Sequence, residues 1–253
     1  MKSALRPWWL TLTAVGVVAL LATGCTFWRL GEARSLAQAS EPFQQRPGDP
    51  RLRLLVVGDS TGVGTGASAP RFSVSGLLGA DFPRLAIDNL SRDGARFGDV
   101  PAQLAAAAKR APSGWDLILI SVGGNDVIRG TGDAALAQDL DRSFAAARAS
   151  LAPGGQVLVQ PPGNVGNAPF FLPPVSLLMN SRAAEMHAAV RAAAARHEVT
   201  VVDMARSREQ DPFVQRPELN ASDGLHPSDG GYRVWRDELL AQTDLRTRLA
   251  AAR

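Results

Sequence analysis

Three side chains in this sequence are of the types needed to drive a hydroxyl onto a carbonyl group. Ser60 closes the run Gly58-Asp59-Ser60, and Asp223 and His226 lie on one short stretch, Asp223-Gly224-Leu225-His226-Pro227. A serine hydroxyl is a weak nucleophile until a base accepts its proton and a third group orients that base. His187 and His197 fall inside an expected helix as surface residues, which leaves His226 as the candidate base. Asp223 is near enough on one turn to accept from the imidazole Nδ1 and leave Nε2 facing a nucleophile. Asp, Gly and Pro are also ordinary turn residues, so a turn capping the next helix accounts for this stretch as well.

Acyl transfer further needs donors aimed at the oxygen that becomes negative, commonly backbone N–H groups and side-chain amides. Gly123-Gly124-Asn125-Asp126 supplies the Asn125 amide, and Gly94 a backbone N–H. Each also reads plainly as a loop or turn.

These residues need a frame that brings them together. Leu52 to Val57 is an apolar, β-branched run stopped by Gly58, so Ser60 sits at the carboxyl end of a strand, where open α/β sheets keep their sites. Further strands are expected at Leu85 to Leu90, Asp116 to Val122, Gln156 to Gln160 and Val199 to Asp203. Helices are expected at Ser73 to Gly79, Asp99 to Arg110, Asp133 to Leu151, Ser181 to His197, and from Asp229 to about Leu245. Pro101 suits the first turn of its helix, and Asp133 suits the positive end of its helix dipole. Strands alternating with helices over short loops give a parallel sheet covered on both faces, a three-layer α/β/α sandwich of five strands.

The chain has 253 residues, of which 45% are hydrophobic, enough for one domain of about 200 residues after an N-terminal segment is set aside. Its formal charge of +3 includes Lys2 and Arg6, and the basic residues are scattered, so nucleic acid is not an expected partner. Lys2 and Arg6 precede an uncharged stretch of 22 residues from Pro7 to Trp28, a charged region followed by a membrane-inserting one. Three outcomes fit residues 1–30: a cleaved signal peptide, an uncleaved signal anchor, or a bacterial lipoprotein acylated on Cys25. Leu21-Ala22-Thr23-Gly24-Cys25 resembles a lipobox, and the stretch is also long enough to span a bilayer. All three put the folded part outside the cytoplasm, in or beyond the bacterial envelope. Residues 31–50 mix Gln, Ser, Pro and charges without period and read as a tether to a domain covering 51–253. Cys25 is the only cysteine, which excludes an intramolecular disulfide and a cysteine-rich metal site.

Taken in order, Gly58-Asp59-Ser60, Asn89 with Gly94, Gly123-Gly124-Asn125-Asp126, and Asp223 with His226-Pro227 resemble the motif blocks of the SGNH or GDSL-type hydrolases. The likeness covers about Arg51 to Leu240. The resemblance implies a serine esterase on a flavodoxin-like sandwich, with Ser60 as nucleophile, His226 as base and then acid, and Asp223 as its orienter. It implies an oxyanion hole from the Ser60 and Gly94 N–H groups and the Asn125 amide, and no metal or organic cofactor. Thr61 stands where the family name expects leucine, and Asn89 and Gly94 are spaced more widely than in the commonest form of that block.

The substrate is then a small-molecule, glycan or lipid ester, and the protein is expected to act as a monomer. Phe170, Phe171 and Leu172, in the apolar loop Pro161 to Pro174, are placed to wall an acyl pocket or to cap a core. Arg92 and Arg96 flank Gly94 and read as a solvated face. Two other functions compete. The loop Asp59 to Gly66 could cradle a phosphate or flavin through its N–H groups, although it lacks the lysine of a P-loop. A catalytically silent binding module of the envelope would keep the same residue types.

Overall fold

The structure is a computed structural model that describes residues 28–251 together with Thr13 and Gly24. Cys25 and most of the uncharged stretch before it lie outside the described residues. Among the described residues, no helix is long and apolar enough to cross a membrane.

The architecture is the expected α/β/α sandwich. Strands β1 (Leu52–Gly58), β2 (Leu85–Asn89), β3 (Trp115–Ser121), β4 (Leu151–Val159) and β5 (Thr200–Val201) form one parallel sheet in the order β2-β1-β3-β4-β5. That order is the flavodoxin-like one, with its crossover between β1 and β3. The helices are α1 (Ser60–Val63), α2 (Val74–Asp81), α3 (Val100–Ala107), α4 (Gly124–Arg129), α5 (Asp133–Ala149), α6 (Val175–His197), α7 (Pro212–Gln215), α8 (Asp229–Ala241) and α9 (Leu245–Ala251).

Side chains alternate across a strand, so an uninterrupted apolar run feeds two cores at once. Leu55 and Val57 of β1 join Phe97, Leu140, Phe144 and Val190 in one core, under α3, α5 and α6. Leu54 and Val56 join Leu78, Tyr232, Trp235 and Leu239 in the other, under α2 and α8.

Besides β4, which begins five residues before the expected Gln156, four expectations change. β5 is only two residues long because β4 offers it partners only at Leu158 and Val159, after which the chain leaves the sheet. α6 begins at Val175, before the expected Ser181. His187 is not a surface residue: it is 2% exposed, inside α6, and burial lowers its pKa. Residues 31–50 are not a free tether either. Residues 28–39 are helical, and Arg29, Glu32, Ala33, Leu36, Ala37 and Ser40 recur at helical spacing on the less exposed side. Gln45 then bridges to Ile87 of β2 in antiparallel sense, its N–H to the Ile87 carbonyl at 3.0 Å and its carbonyl accepting from Ile87 N at 2.9 Å. The Gln45 side chain donates to the Leu85 carbonyl at 2.9 Å, and the Gln44 side chain exchanges bonds with the N–H and carbonyl of Asn89 at 3.2 and 2.7 Å.

Candidate active site

β1 ends at Gly58 because nothing larger fits. Its φ is 145°, and a Cβ there would lie 1.9 Å from the Ser121 carbonyl oxygen of β3. The Gln103 side chain, from α3, accepts from Gly58 N at 2.7 Å and donates to Gly58 O at 2.9 Å. The next residue, Asp59, caps α1: its Oδ1 accepts from Thr61 N at 2.9 Å and from Thr61 Oγ1 at 2.7 Å. Ser60 therefore opens the helix with its N–H directed out of it. Burial pushes the Asp59 carboxyl up to about 6, against the lowering effect of the Thr61 bonds.

His226 is carried by a closed loop. Asn220 and Pro227 form an isolated bridge, Ala221 N donates to the His226 carbonyl at 2.8 Å, and Gly224 N to the Ala221 carbonyl at 2.9 Å. Inside it, Asp223 Oδ1 accepts from Leu225 N at 2.9 Å and His226 N at 3.0 Å. Asp223 Oδ2 lies 2.5 Å from His226 Nδ1, and His226 Nε2 lies 2.9 Å from Ser60 Oγ. Burial raises the Asp223 carboxyl, but the bonds from His226 and the two backbone N–H groups outweigh it, and the net shift is downward. A carboxylate held ionised behind an imidazole keeps Nδ1 protonated and Nε2 free to take a proton from the hydroxyl.

The other expected residues converge on the same place. Gly94, at φ 76°, and Asn125, in the first turn of α4, line one cleft of about 240 Å³ with Ser60 and His226. Asn89 supports the cleft rather than lining it: its amide donates to the Gly62 carbonyl at 2.7 Å, and its Oδ1 accepts from Ser91 N at 3.0 Å. Asp126 turns inward, accepting from Phe97 N at 3.1 Å and Thr131 Oγ1 at 3.0 Å, and burial raises its pKa. Arg92 is on the solvated side, within 3.6 Å of Asp99.

Two alternatives raised for this region are decided by the geometry. Phe170, Phe171 and Leu172 do not line the cleft. The two rings pack edge to face at 5.0 Å, Phe171 leans on the core, and Phe170 N donates to the Gly224 carbonyl at 2.9 Å, which braces the His226 loop. The apolar walls come instead from Ile128, Val165, Met204, Phe213, Leu225 and Trp235. The phosphate-cradle alternative loses most of its donors, because the loop spends many of its N–H groups on itself. Thr61 N and Val63 N donate to Asp59, Gly64 N and Thr65 N to the Ser60 carbonyl, and Ala67 N to Gly64.

Sequence reasoning missed three contributors. Thr61, noted in the sequence only as standing where leucine is expected, joins Asp59 to Ser121 Oγ, 3.0 Å away, and so ties α1 to β3. Gln103 and Ala37 gave no signal, one being an amide within an Ala-rich helix and the other a small residue in an apparent linker.

A hydroxyl, an imidazole and a carboxylate in one hydrogen-bonded line at the carboxyl edge of a five-stranded parallel sheet define the class of architecture on which acyl hydrolysis is carried out. Residues 56–234 match the family model of the GDSL-like lipase/acylhydrolase family. No curated protein matches the chain by sequence. Among solved structures, that of TesA is 24% identical over 75% of this chain and 97% of its own, with a TM-score of 0.58. The extracellular lipase from Streptomyces rimosus is 24% identical over 76% of this chain and all of its own (100%), at 0.53. The psychrotrophic esterase EstA from Pseudoalteromonas sp., in a structure inhibited by monoethylphosphonate, is 18% identical over 78% and 98%, at 0.55. At these identities the structural likeness shows the fold. The family match spans most of the chain, which belongs to the GDSL-like lipase/acylhydrolase family and is a carboxylic ester hydrolase.

Proposed function

We propose that the protein cleaves carboxylic esters through an acyl-enzyme on Ser60. His226 takes the hydroxyl proton as Oγ attacks the carbonyl carbon, then gives it to the departing alcohol. Water attacks the acyl-enzyme in turn, its proton passing to His226, and the acid leaves as Oγ regains a proton. Asp223 holds the imidazole in the working tautomer. The Ser60 and Gly94 N–H groups and the Asn125 amide receive the negative oxygen of each tetrahedral intermediate. The observation that carries this reading is the 2.9 Å contact from His226 Nε2 to Ser60 Oγ, backed by Asp223 at 2.5 Å.

The enzyme works outside the cytoplasm, held at the membrane by its N-terminal segment. The support is the charge pattern: Lys2 and Arg6, then 22 uncharged residues.

The test is hydrolysis of p-nitrophenyl acetate and butyrate by the full chain in detergent, beside Ser60→Ala, with a fluorophosphonate probe. Turnover and covalent labelling are both expected in the wild type, and both should vanish in the variant. Labelling that survives Ser60→Ala would move the nucleophile elsewhere.

A further inference from the structure

Among the described residues, the large apolar side chains left exposed are Trp28, Leu30, Leu172, Val175, Leu177 and Leu178, and they fall in two segments only. Leu177 is 69% exposed and Trp28 61%. The N-terminal segment is tied to the start of the other, the Arg29 guanidinium donating to the Pro169 carbonyl three residues before Leu172, and to the His226 loop, Ser222 Oγ donating to Glu32 at 2.7 Å. They also border the cleft. Ala37 of the N-terminal helix and Ala168 of the loop after β4 both line it, and Ser222 adjoins Asp223. Exposed apolar side chains confined, among the described residues, to two segments beside a site mark a surface that meets something apolar.

The occupant follows from the chain that leads into the patch. Trp28 is the last of the 22 uncharged residues that begin at Pro7, a length sufficient to cross a bilayer. Tryptophan at the end of such a stretch favours the depth of the lipid headgroups. The helix that covers residues 28–39 runs along the domain as far as the cleft, so little slack separates Trp28 from the cleft mouth. Leu172, Val175, Leu177 and Leu178 follow closely on Pro169, whose carbonyl that helix holds through Arg29.

We propose that this surface rests on the membrane that the N-terminal segment enters, so that the cleft opens onto lipid and its substrate is an acyl ester carried in the bilayer. The inference rests on the esterase reading above and names the substrate class of that site. The apolar cleft walls, Ile128, Val165, Met204 and Phe213 among them, suit an acyl chain arriving from such a surface.

The full chain, reconstituted in phosphatidylethanolamine–phosphatidylglycerol vesicles, is compared with the double variant Leu177→Asp and Leu178→Asp. Two esters are offered in the same vesicles, p-nitrophenyl palmitate dissolved in the bilayer and p-nitrophenyl acetate in water. The variant should hydrolyse the palmitate at least tenfold more slowly while its acetate rate stays within twofold of the wild type. An unchanged palmitate rate, or an equal fall for both esters, would overturn the proposal. A second measurement is independent of turnover: bimane attached at Leu177→Cys, in a Cys25→Ser chain, should be quenched by brominated phosphatidylcholine, and bimane at Lys109→Cys should not. Equal quenching at the two positions would overturn the proposal too. Absence of acetate hydrolysis by the wild-type chain would sink the esterase reading instead, leaving the quenching to decide the surface.

Discussion

Asp59 is the residue on which the setting of the nucleophile depends most closely, and it carries an electrostatic cost. Its carboxyl is buried beside Ser60 with no cation bonded to it, and burial raises it from 3.8 to about 6. A carboxyl raised in this way binds its proton more tightly in the folded chain than in the unfolded one. The contribution of this group to stability is therefore greatest below the unfolded value and declines as pH rises through 4 to 6, levelling off above. Asn at this position keeps an oxygen for Thr61 and has no charge to bury. Asp59→Asn should gain on the wild type by about 2 kcal/mol between pH 4 and pH 7, measured by urea unfolding at each pH. A constant difference would mean that Asp59 does not titrate in that window. Ser60, Gly94, Asn125, Asp223 and His226 were legible in combination rather than one by one, because each alone also reads as a turn or cap and only their order along the chain sets them apart. Asp59 was legible only as part of a motif, since nothing in the sequence shows that its carboxyl is buried.

The elements matter through how firmly they hold the turn after β1. Gln103 of α3 binds both backbone polar groups of Gly58, and the Gly58 carbonyl has a second donor in Arg92 N at 3.0 Å. Removing the amide therefore orphans mainly the Gly58 N–H, a buried donor whose desolvation costs about 1–3 kcal/mol. Gln103→Ala should lose that much stability and also reduce kcat for p-nitrophenyl acetate, because Ser60 begins two residues later. Loss of stability with kcat intact would show that the turn is held by β3 alone. The strands were readable where they are buried on both faces, as in β1 and β3, since an unbroken apolar run has few other uses. β4 was read short because Pro153, Gly154 and Gly155 look like a turn, yet the strand runs through them with a register shift between Trp115 and Leu117. The segment before β1 was illegible for a different reason. It docks through Gln and Arg side chains onto backbone carbonyls, and such bonds leave no apolar period to find.

At the scale of the whole molecule, the N-terminal helix makes the cleft a property of more than the sandwich. Ala37 adds a wall from outside the sheet, facing the loops after β1, β3 and β4. Ala37→Trp should narrow the cleft and raise KM for p-nitrophenyl butyrate about tenfold, with a smaller effect on the acetate, as overfilling a packed space costs about 1–3 kcal/mol. Equal KM changes for the two esters would place Ala37 away from the acyl group. The stretch after this helix has a further consequence. β2 is one of the two outer strands of the sheet, and every outward N–H and carbonyl of Leu85, Ile87 and Asn89 is taken, by Phe82, Gln44 and Gln45. A bare edge would be a template for pairing with a second molecule, the usual start of intermolecular β aggregation. Two glutamines in a stretch that reads as linker thus blunt this edge, and a chain trimmed past Gln45 would lose that protection, along with the Ala37 wall, while keeping Ser60, Asp223 and His226.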